Sequence, residues 1–429
     1  MSVNSETISN TELKVSQMAE NLIGSEIIKL AGEIKQKIAN GEKINNFTIG
    51  DFNPEIYPIP ARFKELIIEA YNDNHTNYPA ANGIPELRNS ISKFISDYQG
   101  LNYSPEEILV SGGSRPLIYA TYQALIDPQE KVLFPVPSWN NNHYTHLSHA
   151  NPILVETKPE NNFMPTADEL RPYIQEANFL ALCSPLNPTG TCFGKEQLVE
   201  ICDMVCAENQ RRGENEKPLY ILYDQIYWLL THGETKHCDP VSIRPELRDY
   251  TIFIDGLSKS FAATGVRVGW AFGPEKIIGK MKSILGHVGA WSPKAEQVAA
   301  SKYLTERNNI DTYLTSFKKE ISDSLNCFYN GFKTLKNEGF NVDAIPPQAA
   351  IYLTVKIDIL GKEYNNIKIA NTKEATGFIL NKAGLAIVPF YAFGSSDDSV
   401  WFRLSVGTAK PEQIGQVFSQ LRDALKMLN

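Results

Sequence analysis

Cysteine is scarce: six in 429 residues, at positions 183, 192, 202, 206, 238 and 327. No two of them form a Cys-x-x-Cys pair, so neither a disulfide framework nor a structural zinc site is expected. Cys202 and Cys206, four apart on an expected helix, read as buried thiols. Long apolar runs are missing too. Residues 219–230 come nearest to the ~20 residues of a membrane span, and Asp224 and Gln225 interrupt them. Positive charge is not in excess: 41 Lys and Arg against 49 Asp and Glu leave a net charge of −8. That argues against a nucleic-acid binder, which carries a basic face, and against a surface built to grip anionic lipid. Residues 1–10 are polar and lack an apolar core segment, so no secretory signal is expected. There is no internal repeat and no low-complexity linker. What remains is ordinary globular composition, 42% hydrophobic and 21% charged, in two or three domains of a protein expected in the reducing cytoplasm.

The apolar pattern divides the chain. Ile27, Ile28, Leu30, Ala31, Ile34 and Ile38 recur at helical spacing, with Gly41 as a stop. Helices are expected over 62–72 and 84–98. Short buried strands then alternate with helices: strands at 108–110, 131–134, 152–156, 179–183, 219–223 and 251–255, and helices to 124, over 140–150, 168–177 and 195–211. That alternation predicts an α/β fold with a mostly parallel sheet between helical layers. Beyond about 295 the pattern becomes a long helical stretch to about 336, strands at 350–355 and 400–405, and helices over 372–383 and 411–427. This reads as a smaller α+β unit. The expected division is a large domain, 62–295, and a discontinuous small domain, 1–61 with 296–429.

Five segments carry chemistry. In the first, Ser258-Lys259 follows a buried strand amid Ser, Gly and Ala. A desolvated lysine becomes a neutral amine able to form a Schiff base. Arg267, between Gly265 and Gly269, offers a planar fork suited to phosphate. In the second, Asp224 ends an apolar strand, where α/β folds bind ligands, and Tyr227 follows it. The third, Ser184-Pro185-Leu186-Asn187-Pro188-Thr189-Gly190, is a tight turn after a strand. The fourth, Ser111-Gly112-Gly113-Ser114-Arg115-Pro116, joins a strand to a helix whose free N–H groups make an anion site. Arg115 stands where long side chains often point to solvent and receives no role. The fifth places Arg403 inside an apolar strand, where burial demands an anionic partner, either a substrate or an internal salt bridge.

In their order along the chain, from about residue 45 to 407, these segments resemble the fold-type I, pyridoxal-phosphate-dependent aminotransferases of class I/II, the aspartate aminotransferase-like group. The resemblance implies an enzyme that moves an amino group between an L-amino acid and a 2-oxo acid by a ping-pong mechanism. Lys259 would bind the cofactor covalently and act as the catalytic base. Asp224 would pair with its pyridinium nitrogen, Tyr227 and Asn187 with its phenolic oxygen, and Trp139 would stack on its ring. Gly113, Ser114, Ser258 and Arg267 would hold its phosphate. Arg403 and Asn187 would grip the substrate carboxylate, with Gly50 lining the entrance. Tyr78 resembles the tyrosine that reaches the phosphate of a neighbouring subunit, which implies a homodimer. One departure is Gln225, where the family usually has Glu. His143, His146 and His149 are spaced three apart, but no metal is expected there. Residues 286–293 contain no arginine, which argues against strict aspartate specificity and leaves dicarboxylic, aromatic and branched donors open. A lyase on the same scaffold is the alternative reaction. A cofactor-sensing regulator is a further alternative, disfavoured by the short, non-basic segment before Asn46.

Overall fold

The computed structural model describes residues 14–22, 24 and 26–429; the polar segment 1–10 lies outside the described residues. Its centre is a seven-stranded sheet of β1 (Ile108–Ser111), β2 (Lys131–Val136), β3 (Asn151–Glu156), β4 (Phe179–Cys183), β5 (Tyr220–Asp224), β6 (Thr251–Gly256) and β7 (Gly269–Phe272). The spatial order is β1-β7-β6-β5-β4-β2-β3. Only β7 runs against the others, pairing antiparallel with both β1 and β6. The inner strands are Val-, Ile-, Leu- and Phe-rich and buried on both faces, as a helix-covered parallel sheet requires, while the edge strand β3 is mostly exposed. One face packs a core that includes Leu133, Leu180, Tyr223 and Phe253; the other packs Leu117, Phe134, Leu222 and Ile254.

The second layer is a four-stranded antiparallel sheet, ordered β10-β11-β9-β8, of β8 (Val342–Ala344), β9 (Tyr352–Ile357), β10 (Val388–Pro389) and β11 (Trp401–Ser405). The helices Arg307–Asn337 and Pro411–Leu425 pack on it. A short parallel pairing of Asn45–Asn46 with Leu385–Ala386 ties the front of the chain to this unit. The helix Glu26–Ala39 packs Ile27 and Leu30 against the cluster of Phe163, Val388, Phe390 and Phe393, and Ile34 against Leu380. The helix Lys294–Tyr303 instead adds Ala299 and Tyr303 to the larger core. Among the described residues no helix is long and apolar enough to cross a membrane.

Three sequence expectations differ from the structure. The helix expected over 168–177 is only Ala167–Leu170 followed by a 3₁₀ turn, Arg171–Tyr173; Pro172 has no N–H to continue an α-helix. The helix expected over 140–150 shrinks to Asn141–Leu147, with His149 left-handed at φ 54°. Strand β7 went unread because its four residues, Gly269 to Phe272, follow directly on the Lys259–Arg267 motif. Its Gly269 is demanded by a close approach: a Cβ there would stand 2.6 Å from the Gly113 carbonyl carbon and 2.7 Å from the Ser114 nitrogen. Gly269→Ala is therefore expected to destabilise the fold by about 1–3 kcal/mol through overpacking. A thermal unfolding midpoint equal to wild type would refute that contact.

Candidate active site

The sequence-derived residues converge where parallel strands end. Asn187 follows β4, Asp224 ends β5, Lys259 follows β6 and Trp139 follows β2. Ser114 opens the helix after β1, and Arg267 precedes β7. With Gly50, Tyr227, Ser258 and Arg403 they line one cavity of about 560 Å³. Gly113 stands beside it at φ 99°, so near Arg267 that a Cβ would lie 2.2 Å from Nη2. Tyr78 is not brought in: it is 81% exposed, and its ring meets Trp291 edge-on at 5.1 Å.

Lys259 sits on a single helical turn, Leu257–Ser260, launched from β6. Its Nζ donates to the Gly50 carbonyl at 2.6 Å. Burial pushes its pKa down to about 8; the nearby cations of Arg403, Arg115 and Arg267 add to this, while Asp51 opposes it. Asp224 is raised to about 6 by burial, although one oxygen accepts the Ile226 N–H at 3.1 Å. The Tyr227 hydroxyl is 2.6 Å from that of Tyr352, and burial raises its pKa further. Arg267 has a left-handed backbone, φ 60°. Its guanidinium donates to the Thr264 carbonyl at 2.8 Å and the Gly112 carbonyl at 2.7 Å.

Arg403 is 1% exposed and stands over the rings of Tyr352 and Phe393. It donates to Asn187 Oδ1 at 3.0 Å and to the Thr48 carbonyl at 2.6 Å. Its Nε has no partner, and among the described residues no carboxylate meets it. The internal salt bridge left open by the sequence is thus not formed. Gln225 turns away from the cavity, bonding Gln99 at 3.1 Å and His237 at 3.3 Å. His146 bonds the Met18 carbonyl. No group of three His, Cys, Asp or Glu among the described residues could hold a metal ion.

The site also contains residues that sequence reasoning missed. Arg115 lines the cavity, its guanidinium 5.4 Å from the centre of the Trp139 ring. Tyr352, Thr48, Asp51 and Cys183 line it as well. Tyr352 and Thr48 carry no local signal, since only the docking of the smaller unit brings them here. Arg115 had one: its place in the first turn of a helix that follows a strand and two glycines.

Residues 42–421 match the family described as aminotransferase class I and II. The chain belongs to the class I and II aminotransferases. An aspartate aminotransferase of Geobacillus stearothermophilus is 29% identical over 403 residues, spanning 92% of this chain and 95% of its own. An asparagine–oxo-acid transaminase of Streptococcus mutans is 27% identical over 400 residues, with the same coverages. The crystal structure of an aspartate aminotransferase from Rhizobium meliloti superposes with a TM-score of 0.89, covering 97% of this chain and 100% of that one at 22% identity; it supports the fold alone. This aminotransferase is a transferase of amino groups whose substrates are amino acids and oxo acids, and its family uses pyridoxal phosphate. The cavity fits that group. It holds an amine without a carboxylate partner, a buried carboxylate with a spare oxygen, and a glycine-lined fork at a helix start.

The lysine pKa makes a test. In the cofactor-free chain the folded state binds fewer protons than the unfolded one between about pH 8 and 10.5, so stability rises with pH across that window. Below it the whole penalty stands, roughly 3 kcal/mol. Lys259→Met should therefore raise the unfolding midpoint at pH 7 and lose most of that gain by pH 10.5. An equal gain at both pH values would show that the ammonium is not desolvated.

Proposed function

We propose that this aminotransferase works through Lys259, Asp224, Asn187, Arg267 and Arg403 in the roles their positions suit. The observation that carries the reading is Arg403, a buried guanidinium with an unpartnered Nε and no carboxylate. Such a group fits a substrate α-carboxylate through two parallel bonds. Asn187, already bonded to Nη1, orients the fork. Arg267, Gly113, Ser114 and Ser258 form the phosphate cradle, with the helix N-terminus adding its free N–H groups. Trp139 offers its ring face, and Tyr227 a hydroxyl donor. Asp224, ionised above about pH 6, would pair with the ring nitrogen of the bound cofactor and keep it protonated. Pyridoxal 5′-phosphate, when bound, supplies an electron sink for the charge left on the substrate α-carbon. Lys259 Nζ takes the α-proton and returns it, a role suited to an amine whose pKa stands near 8. Two such half-reactions, with an amino acid and then a 2-oxo acid, make a ping-pong cycle.

The donor we propose is aspartate or a similar dicarboxylic amino acid. After Arg403, Arg267 and Lys259 are assigned, Arg115 is the cavity cation left over, and it has no hydrogen-bond or ion-pair partner among the described residues. Its fork suits a second carboxylate. The aspartate aminotransferases among the relatives support the same choice. A cytoplasmic homodimer belongs to this proposal, supported by six free thiols and by Tyr78, exposed and outside its own cavity. So does a division into a large unit, 62–295, and a small one from 1–61 and 296–429. The packing of Ala299, Tyr303 and Ile310 on the larger core favours moving the second boundary into the long helix.

Two variants test the reading. Lys259→Ala should lose the cofactor's Schiff-base absorbance and all measurable transfer from aspartate to 2-oxoglutarate; ordinary turnover by that variant would sink it. Arg115→Gln should raise KM for aspartate about 10–100-fold, the worth of a charged hydrogen bond, while leaving KM for alanine unchanged. Equal losses for both donors would remove Arg115 from substrate selection.

A further inference from the structure

Asp255 is a carboxylate that the proposed reaction does not use. It is 1% exposed, at the end of β6 and four residues before Lys259. Among the described residues no cation pairs with it. One oxygen accepts the N–H of Gly256 at 2.7 Å, and the other accepts the indole N–H of Trp228 at 2.8 Å. Trp228 follows Tyr227 in the turn after β5, and its own N–H bonds the Gln225 carbonyl at 2.9 Å. Strands β5 and β6 pair with Asp224 opposite Ile254. Side chains alternate along a strand, so Asp255 points to the sheet face away from Asp224. It therefore touches neither the cavity nor the reacting atoms.

We propose that Asp255 is a positioning residue, whose carboxylate ties the Tyr227–Trp228 turn to the strand end that launches Lys259. The proposal rests on the cofactor reading above. Two backbone segments deliver the groups nearest the chemistry: one carries Asp224 and Tyr227, the other Ser258 and Lys259. The Lys259 Nζ lies 5.8 Å from the centre of the Tyr227 ring. Beyond the strand ladder, the Trp228–Asp255 bond joins the two segments on the buried side. A carboxylate suits this place because both neighbours are N–H donors and it offers acceptors only. An amide would turn its NH₂ against one of them. Burying an unpaired carboxylate is unfavourable, and burial with the nearby Asp224 charge pushes its pKa well up. The tie is what that unfavourable placement secures.

The test uses the holoenzyme. Asp255→Asn keeps the shape and loses one of the two bonds; Trp228→Phe keeps the ring and removes the donor. The readout is the pH midpoint of the bound cofactor's absorbance change, which reports the surroundings of Lys259 Nζ. Both variants should move that midpoint in the same direction by about 0.5 unit or more, and the double variant should move it no further than the larger single one. Lower melting temperatures with unchanged midpoints would mean a structural role only and overturn the tie. A shift in one variant without the other, or additive shifts, would overturn it as well. If Asp255→Asn does not fold, Trp228→Phe decides alone by the same midpoint. Wild-type absorbance that survives Lys259→Ala would overturn the cofactor reading and the tie together; an intact wild-type band with unmoved variants overturns the tie alone.

Discussion

Two cavity cations without a carboxylate partner, one buried and one half-buried, set the terms for the rest of this fold. Lys259 and Arg403 lie on the walls of one cavity, and the partners they do have are neutral: the carbonyls of Gly50 and Thr48 and the amide of Asn187. Desolvating a charge is costly unless it is paired. Here Arg403 is buried and Lys259 half-buried on the cavity wall, and among the described residues no carboxylate bonds either of them. The result is a cavity preset for anions and for an amine that gives up its proton easily.

The architecture explains how such a cavity can be built. Parallel strands bring their C-terminal ends to one edge, and each end can hand a side chain to the same space. Five segments do so, from Ser114, Trp139, Asn187, Asp224 and Lys259. The roof comes from elsewhere in the chain. Gly50 and Thr48 arrive from the segment next to the Asn45–Asn46 pairing, and Arg403 and Tyr352 from facing strands of the smaller sheet. Because Lys259 bonds a carbonyl of that roof, the two units meet at its Nζ. Any movement of the roof would be felt by the lysine itself.

Most of the site was legible in the sequence because its parts are local. Lys259 and Arg267 are eight residues apart on one loop, and Asn187 and Asp224 sit at or beyond the ends of apolar strands. The departure at Gln225 proved compatible with the site for a reason visible only in space: that side chain faces Gln99 and His237, away from the cavity. The residues that escaped notice, Tyr352, Thr48 and Asp255, have ordinary local contexts. An aspartate beside a glycine announces nothing until an indole from the turn after another strand is found against it. Arg115 was passed over because sequence cannot say whether a long side chain turns to solvent or to a ring.

By itself the sequence determined the alternation of strands and helices, the mostly parallel sheet, the cavity positions of Lys259 and Arg267 and the family resemblance, since each depends on residues close together in the chain. Only the tertiary structure decided that Arg403 lacks an internal acid, that Arg115 leans over Trp139 and that Asp255 is bonded by Trp228 from the turn after β5. Those facts depend on distances between segments far apart in sequence, and packing sets such distances where periodicity and motif spacing do not.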